Sequence, residues 1–109
     1  MKNTQETQKK IDIQKVEYKF MDKTIKLLVI NFRDVLSDFE QTFLINKYTY
    51  DCDMLKKMQK HAINKAKSFG FSGFRHTFKN YTDGIAFRTN DLENLEKNIL
   101  EMRKQTLIN

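Results

Sequence analysis

The chain has no proline, no tryptophan, one cysteine, three glycines and two histidines among 109 residues. The absence of proline fits a chain built of regular elements with few rigid loops. A lone Cys52 excludes an internal disulfide and points to a reducing compartment. The longest aliphatic run, Leu27–Ile30, is far too short to span a bilayer, and residues 1–10 lack the apolar core of a signal peptide. The expectation is a cytoplasmic protein with no membrane partner.

Chemistry-bearing patterns are equally scarce. Neither His61 nor His76 has Cys or His companions at zinc-ligand spacing, and no nucleophile, metal or phosphate-loop motif is present. Cys52 stands between Asp51 and Asp53, whose charges disfavour a reactive thiolate. Asp51, Asp53 and His61 could share a metal only if tertiary packing brought them together. No catalysis, metal or cofactor is expected.

The most informative shortage is of acid. Between Asp53 and Asp83 there are seven Lys or Arg, both histidines and no Asp or Glu. The chain as a whole carries +6 with a pI near 9.4, which attracts polyanions and says nothing of fold.

What is present suffices for a core: 39% of residues are apolar, nine of them Phe and four Tyr. A chain of this length folds as one domain. We place a flexible, polar tail at residues 1–12 and a single small α+β domain at 13–109. Val16, Tyr18 and Phe20 alternate with Glu17 and Lys19, the period of a half-buried strand, and residues 21–23 supply a turn. Thr24–Phe32 reads as a central strand buried on both faces, with a helix over residues 23–44 as the competing reading. From Asp34 the period is helical, with Val35, Leu36, Phe39, Phe43 and Leu44 inward and Ser37, Asp38, Glu40 and Gln41 outward. A Lys-rich helix follows from Met54, capped by Asp51 or Asp53, with Met54, Leu55, Met58, Ala62, Ala66 and Phe69 inward and Gly70 as its stop.

A hairpin then turns at residues 81–84, sending Phe74, Phe78, Ile85 and Phe87 to the core and Arg75, Lys79 and Arg88 outward. Asn90 and Glu93 start a last helix that buries Leu92, Leu95, Ile99 and Met102. The fold class is thus α+β, antiparallel hairpins with three packed helices in the order ββα-α-ββα, the alternative being mostly helical with one C-terminal hairpin. The halves align as a weak repeat, Phe39, Glu40 and Phe43 facing Leu95, Glu96 and Ile99, although any strand followed by an amphipathic helix gives such a match.

On the Lys-rich helix, Lys56, Lys60 and Lys67 line up opposite the apolar arc with Lys57 beside them, and beyond Asp53 at the helix start no acid lies within four residues to relieve the Lys56–Lys60 repulsion. A solvated face is the bland reading of such a stripe. A polyanion partner is the sharper one, and the basic hairpin adds to it. Helix followed by cationic hairpin partly resembles a winged DNA-binding module, which needs one more helix before the hairpin. Lys67–Phe74 (KSFGFSGF) is similar to the octamer of RNA-recognition-motif domains, with Ser68 and Ser72 departing from it; the resemblance implies a strand there and base stacking by Phe71.

The sequence therefore points to a small, basic, non-catalytic nucleic-acid-binding protein, regulatory or accessory, with Lys56, Lys57, Lys60, Lys67, Phe71, Arg75, Lys79 and Arg88 at the interface. The alternative is a protein-binding inhibitor or adaptor that seats the same cations in an acidic groove. The Lys-, Asn- and Ile-rich usage suits an AT-rich mobile element such as a phage or plasmid. A homodimer is compatible with either reading.

Overall fold

The computed structural model describes residues 11–78 and 81–106. Strands β1 (Gln14–Phe20) and β2 (Lys23–Asn31) form a hairpin, and one 3-10 turn (Phe32–Val35) leads to helix α1 (Asp38–Lys47). Helix α2 (Met54–Ser68), strands β3 (Gly73–Phe78) and β4 (Tyr81–Phe87), and helix α3 (Leu92–Lys104) follow. This is the α+β order read from the sequence. The helical alternative for residues 23–44 is wrong: residues 23–31 are strand, because four consecutive buried residues, Leu27–Ile30, serve two different apolar clusters.

The four strands make one antiparallel sheet in the order β1-β2-β4-β3. Residues 28–31 of β2 pair with 84–87 of β4, joining the two hairpins at the centre. One face carries Leu28, Ile30, Ile85 and Phe87 against Met58, Ala62 and Ala66 of α2 and Leu95, Ile99 and Met102 of α3. Gly73 permits the close approach of β3 beneath α2, since a Cβ there would lie 2.9 Å from a methyl of Ile85 and 3.7 Å from Ala66 Cβ. The other face carries a smaller cluster, Leu27, Val29 and Ala86 with Val16, Ile25 and Phe74 packed on it, to which no described helix contributes. Ile11, assigned to the tail on sequence, is buried in the main core.

Several local expectations are corrected. The second hairpin does not turn at residues 81–84: these lie inside β4, where Gly84 pairs with His76 on one side and Asn31 on the other. Its carbonyl also accepts a 2.8 Å hydrogen bond from the buried amide of Gln59, a use that the Asp-Gly turn signal does not anticipate. Helix α1 begins at Asp38, capped by Ser37 in a capping box with Glu40. Its phase differs from the apolar pattern: Glu40 is fully buried, Phe39 is 62% exposed, and Phe43 is also exposed, its ring centroid 6.3 Å from that of Phe39. Helix α3 is capped by Asp91, which accepts from the Asn94 amide, and not by Asn90. Leu95, Ile99 and Met102 are buried as expected.

The first hairpin outruns the sheet. β1 and β2 pair from Gln14↔Val29 to Phe20↔Lys23, whereas β4 leaves β2 at Leu28↔Phe87. Residues 23–27 therefore extend as a two-stranded ribbon about 17 Å beyond that point, at some 3.3 Å per residue. It closes on Met21 and Asp22, both left-handed at φ 51° and 67°.

Candidate functional site

The structure sorts the cations of α2 into three kinds. Lys65 is buried, its ammonium 2.5 Å from Oε1 of Glu40 on α1, and His61 Nε2 lies 3.4 Å from Oε2 of the same carboxylate. Burial pushes the Lys65 ammonium below the ordinary lysine value, with the hydrogen bond to Glu40 pulling the other way. Lys57 is paired with Asp51 and lies 5.3 Å from the centre of the Tyr48 ring. The Lys57 hydrogen bond, then that from the Asp53 amide, hold the Asp51 carboxyl below its ordinary range, and Asp51 in turn raises Lys57. The Asp51 carboxylate is spent on these two donors, and Asp53 makes no side-chain cap bond, so neither caps α2 with its side chain as the sequence suggested.

Lys56, Lys60 and Lys67 remain exposed along one side of α2, and no acidic side chain among the described residues pairs with them. Their separations of four and seven residues repeat at one helical azimuth, opposite buried Met58 and Ala62. Leu55, expected inward, is exposed, while Gln59 and Lys65 take inward positions. The fixed partners of Lys57 and Lys65 leave three cations, and not five, to meet a partner from this helix.

The end of α2 contradicts the octamer resemblance. Gly70 sits at φ 92°, its amide bonding to the Lys67 carbonyl and that of Phe71 to Ala66, the paired bonds of a Schellman stop. Lys67 and Ser68 are thus helix, and only Gly73 and Phe74 of the octamer are strand. Phe71 is half-buried and meets Phe87 edge-on at 5.9 Å.

The second hairpin also divides its cations. Arg75 stands opposite Ile85 in the register, so it shares the helix-covered face of the sheet, where it is exposed. Phe74 stands opposite Ala86 and joins the cluster on the open face, one position out of phase with the sequence reading. Arg88 follows β4 and places its guanidinium 5.5 Å over the Phe74 ring, so it belongs to the open face while α2 and Arg75 lie on the other side. Lys79 lies outside the described residues.

No family model, curated protein or solved structure matches the chain. Among the described residues no helix is long and apolar enough to cross a membrane. The one group of three ligand-type side chains among them is Asp51, Cys52 and Asp53, within 4.8 Å of one another. His61 is not part of it, being engaged with Glu40 on another element.

Sequence reasoning overlooked the exposed rings of the first hairpin. Tyr18, Phe20 and Met21 are exposed at its end, Phe20 by 59% and Met21 by 80%, with Lys19, Lys23 and Lys26 exposed around them. The alternation that identified β1 was read as a face turned toward the core, whereas the register sets Val16, Tyr18 and Phe20 on the face of Leu27 and Ile25, over which no described helix lies.

Proposed function

We propose that the protein binds nucleic acid through the exposed side of α2, in a regulatory or accessory role without catalysis. The observation that carries this is the set Lys56, Lys60 and Lys67, three like charges held on a rigid helix face with no acidic partner among the described residues. Like charges four residues apart weaken an isolated helix, and phosphates would supply the counter-charge the chain does not. Lys57 is a secondary contact, already held by Asp51, and Arg75 extends the cationic surface onto the edge strand β3. The exposed Cys52 fits a cytoplasmic setting.

Changing Lys56, Lys60 and Lys67 together to Gln will leave thermal unfolding unchanged and weaken binding to DNA and RNA oligonucleotides. It will also flatten the dependence of log K on log salt by about 2 to 3 units, close to one for each phosphate no longer neutralised. If the triple variant binds with the parent's affinity and salt slope, the stripe is a solvated face and this reading fails.

The exposed Phe39–Phe43 pair favours a second reading, a protein-binding inhibitor or adaptor, because two adjacent aromatic rings on a helix surface suit an apolar groove of a partner. Retention of the parent on heparin that Phe39→Ser does not alter, together with weaker retention of the triple lysine variant, would favour nucleic acid over it.

A further inference from the structure

We propose that the open face of the sheet is a stacking track for single-stranded nucleic acid, running diagonally from Phe74 past Arg88 to Tyr18 and Phe20. This rests on the nucleic-acid reading and adds to it a second surface and a class of ligand. The register sets Phe74 level with Ala86, Val29 and Gln14, and on that face Val16, Tyr18 and Phe20 follow Gln14 along β1. Three strand spacings and four residues of rise separate Phe74 from Tyr18, about 20 Å, enough for several nucleotides.

The floor between these rings is apolar: Leu27, Val29 and Ala86 with Val16 and Ile25. A groove of about 400 Å³ borders it in the fork where β4 leaves β2, lined by Ile25 and Arg88 from this face, by Thr24 and Lys26, which alternate to the other, and by Thr89 and Asn90. Two of those six side chains are cations, three carry hydroxyl or amide donors, and none is acidic. Arg88 already covers the Phe74 ring at 5.5 Å, so one side chain serves both an aromatic station and the groove.

Charge decides the occupant. Lys23, opposite Phe20 at the ribbon end, and Arg88 in the groove put cations on this face of a chain of net +6, which a second copy of itself would repel and a polyanion would neutralise. Exposed aromatic faces select strands whose bases are free to stack, which a duplex does not offer. The stacking role that the octamer gave to Phe71, which is spent on Phe87, falls instead to exposed Tyr18 and Phe20, with half-buried Phe74 at the inner end offering its stacked Arg88.

The test measures anisotropy of a labelled oligothymidine of about 15 nucleotides, long enough to cover such a track, and of its duplex with oligodeoxyadenosine. The proteins are the parent, Phe20→Thr, Arg88→Gln, and the triple Lys56, Lys60, Lys67 to Gln variant, each checked by thermal melting. Phe20 and Arg88 are exposed, so these changes spare the core. Phe20→Thr is expected to weaken oligothymidine binding on the order of tenfold while leaving duplex binding within about twofold. Arg88→Gln is expected to weaken it similarly and to reduce the salt slope by about 0.7, the share of one single-strand phosphate.

Parent-like oligothymidine binding by Phe20→Thr and Arg88→Gln, with weaker binding by the lysine variant, would overturn the track and leave the α2 reading standing. Weaker binding by the open-face variants alone would uphold the track and count against α2. Equal effects on single strand and duplex would overturn stacking. No binding of either probe by the parent would overturn both readings. A parent dimer that Phe20→Thr dissociates in sedimentation would overturn the track in favour of self-association.

Discussion

A carboxylate with no contact to water, Glu40 accepts from the Ser37 amide and from the Lys65 ammonium and stands 3.4 Å from His61. Breaking such a pair leaves a charge stranded in the interior, whereas replacing both members by neutral groups of similar size removes the problem. Lys65→Met is therefore expected to cost about 3–5 kcal/mol. Glu40→Gln combined with Lys65→Met, which keeps an acceptor for the capping box, will recover most of that in urea unfolding. A Lys65→Met protein as stable as the parent would mean that the pair is not buried in solution. The exposed Asp51–Lys57 pair behaves differently. Its carboxyl titrates below 3.8 when folded, so the stability it contributes is present above that pH and is lost as pH falls through the folded value. Melting of the parent and of Lys57→Gln should differ at neutral pH and converge under acid conditions; a gap that persists well below pH 3.8 would contradict the pairing.

At the scale of elements, the sharpest departure from local preference is the turn of the first hairpin. Two-residue turns with both residues left-handed favour Asn-Gly, and Met at φ 51° is strained in a way Gly is not. Replacing Met21-Asp22 by Asn-Gly should stabilise the fold by about 1 kcal/mol, read from the shift in denaturation midpoint. No gain would place the ribbon's register elsewhere. The order of elements was legible because β2, α2 and α3 carry strong patterns. α1 was not, because its buried Glu40 depends on a lysine 25 residues away that no local period reveals. Phe39 and Phe43 then drew the apolar face to the wrong side. For the same reason the weak repeat dissolves: exposed Phe39 aligns with buried Leu95, and buried Glu40 with exposed Glu96. The cations of α2 were all visible in the sequence. Their sorting into free, paired and buried was not, since Asp51 and Glu40 both lie outside the acid-free stretch.

At the scale of the whole molecule, the two faces of the sheet carry different chemistry, helices and the α2 cations on one, rings and Arg88 on the other. The pairing of residues 28–31 with 84–87 holds these halves together. That central pairing also governs how the chain reaches its native state. The first hairpin closes through neighbours in sequence, but β2 meets β4 only after α1, α2 and β3 have been drawn in between. Loop closure of that length precedes any gain from the contacts it permits, so it forms the slow part of assembly. In stopped-flow refolding, Ile85→Val, at the Ile30↔Ile85 pair, is expected to slow folding in proportion to its loss of stability. The Asn-Gly turn should change mainly the unfolding rate if the ribbon docks late. Until the central strands join, β2 exposes four consecutive apolar residues, Leu27–Ile30, on an unpaired edge. Slowing that one step would therefore leave the protein open to intermolecular strand pairing, with yield on refolding falling as concentration rises.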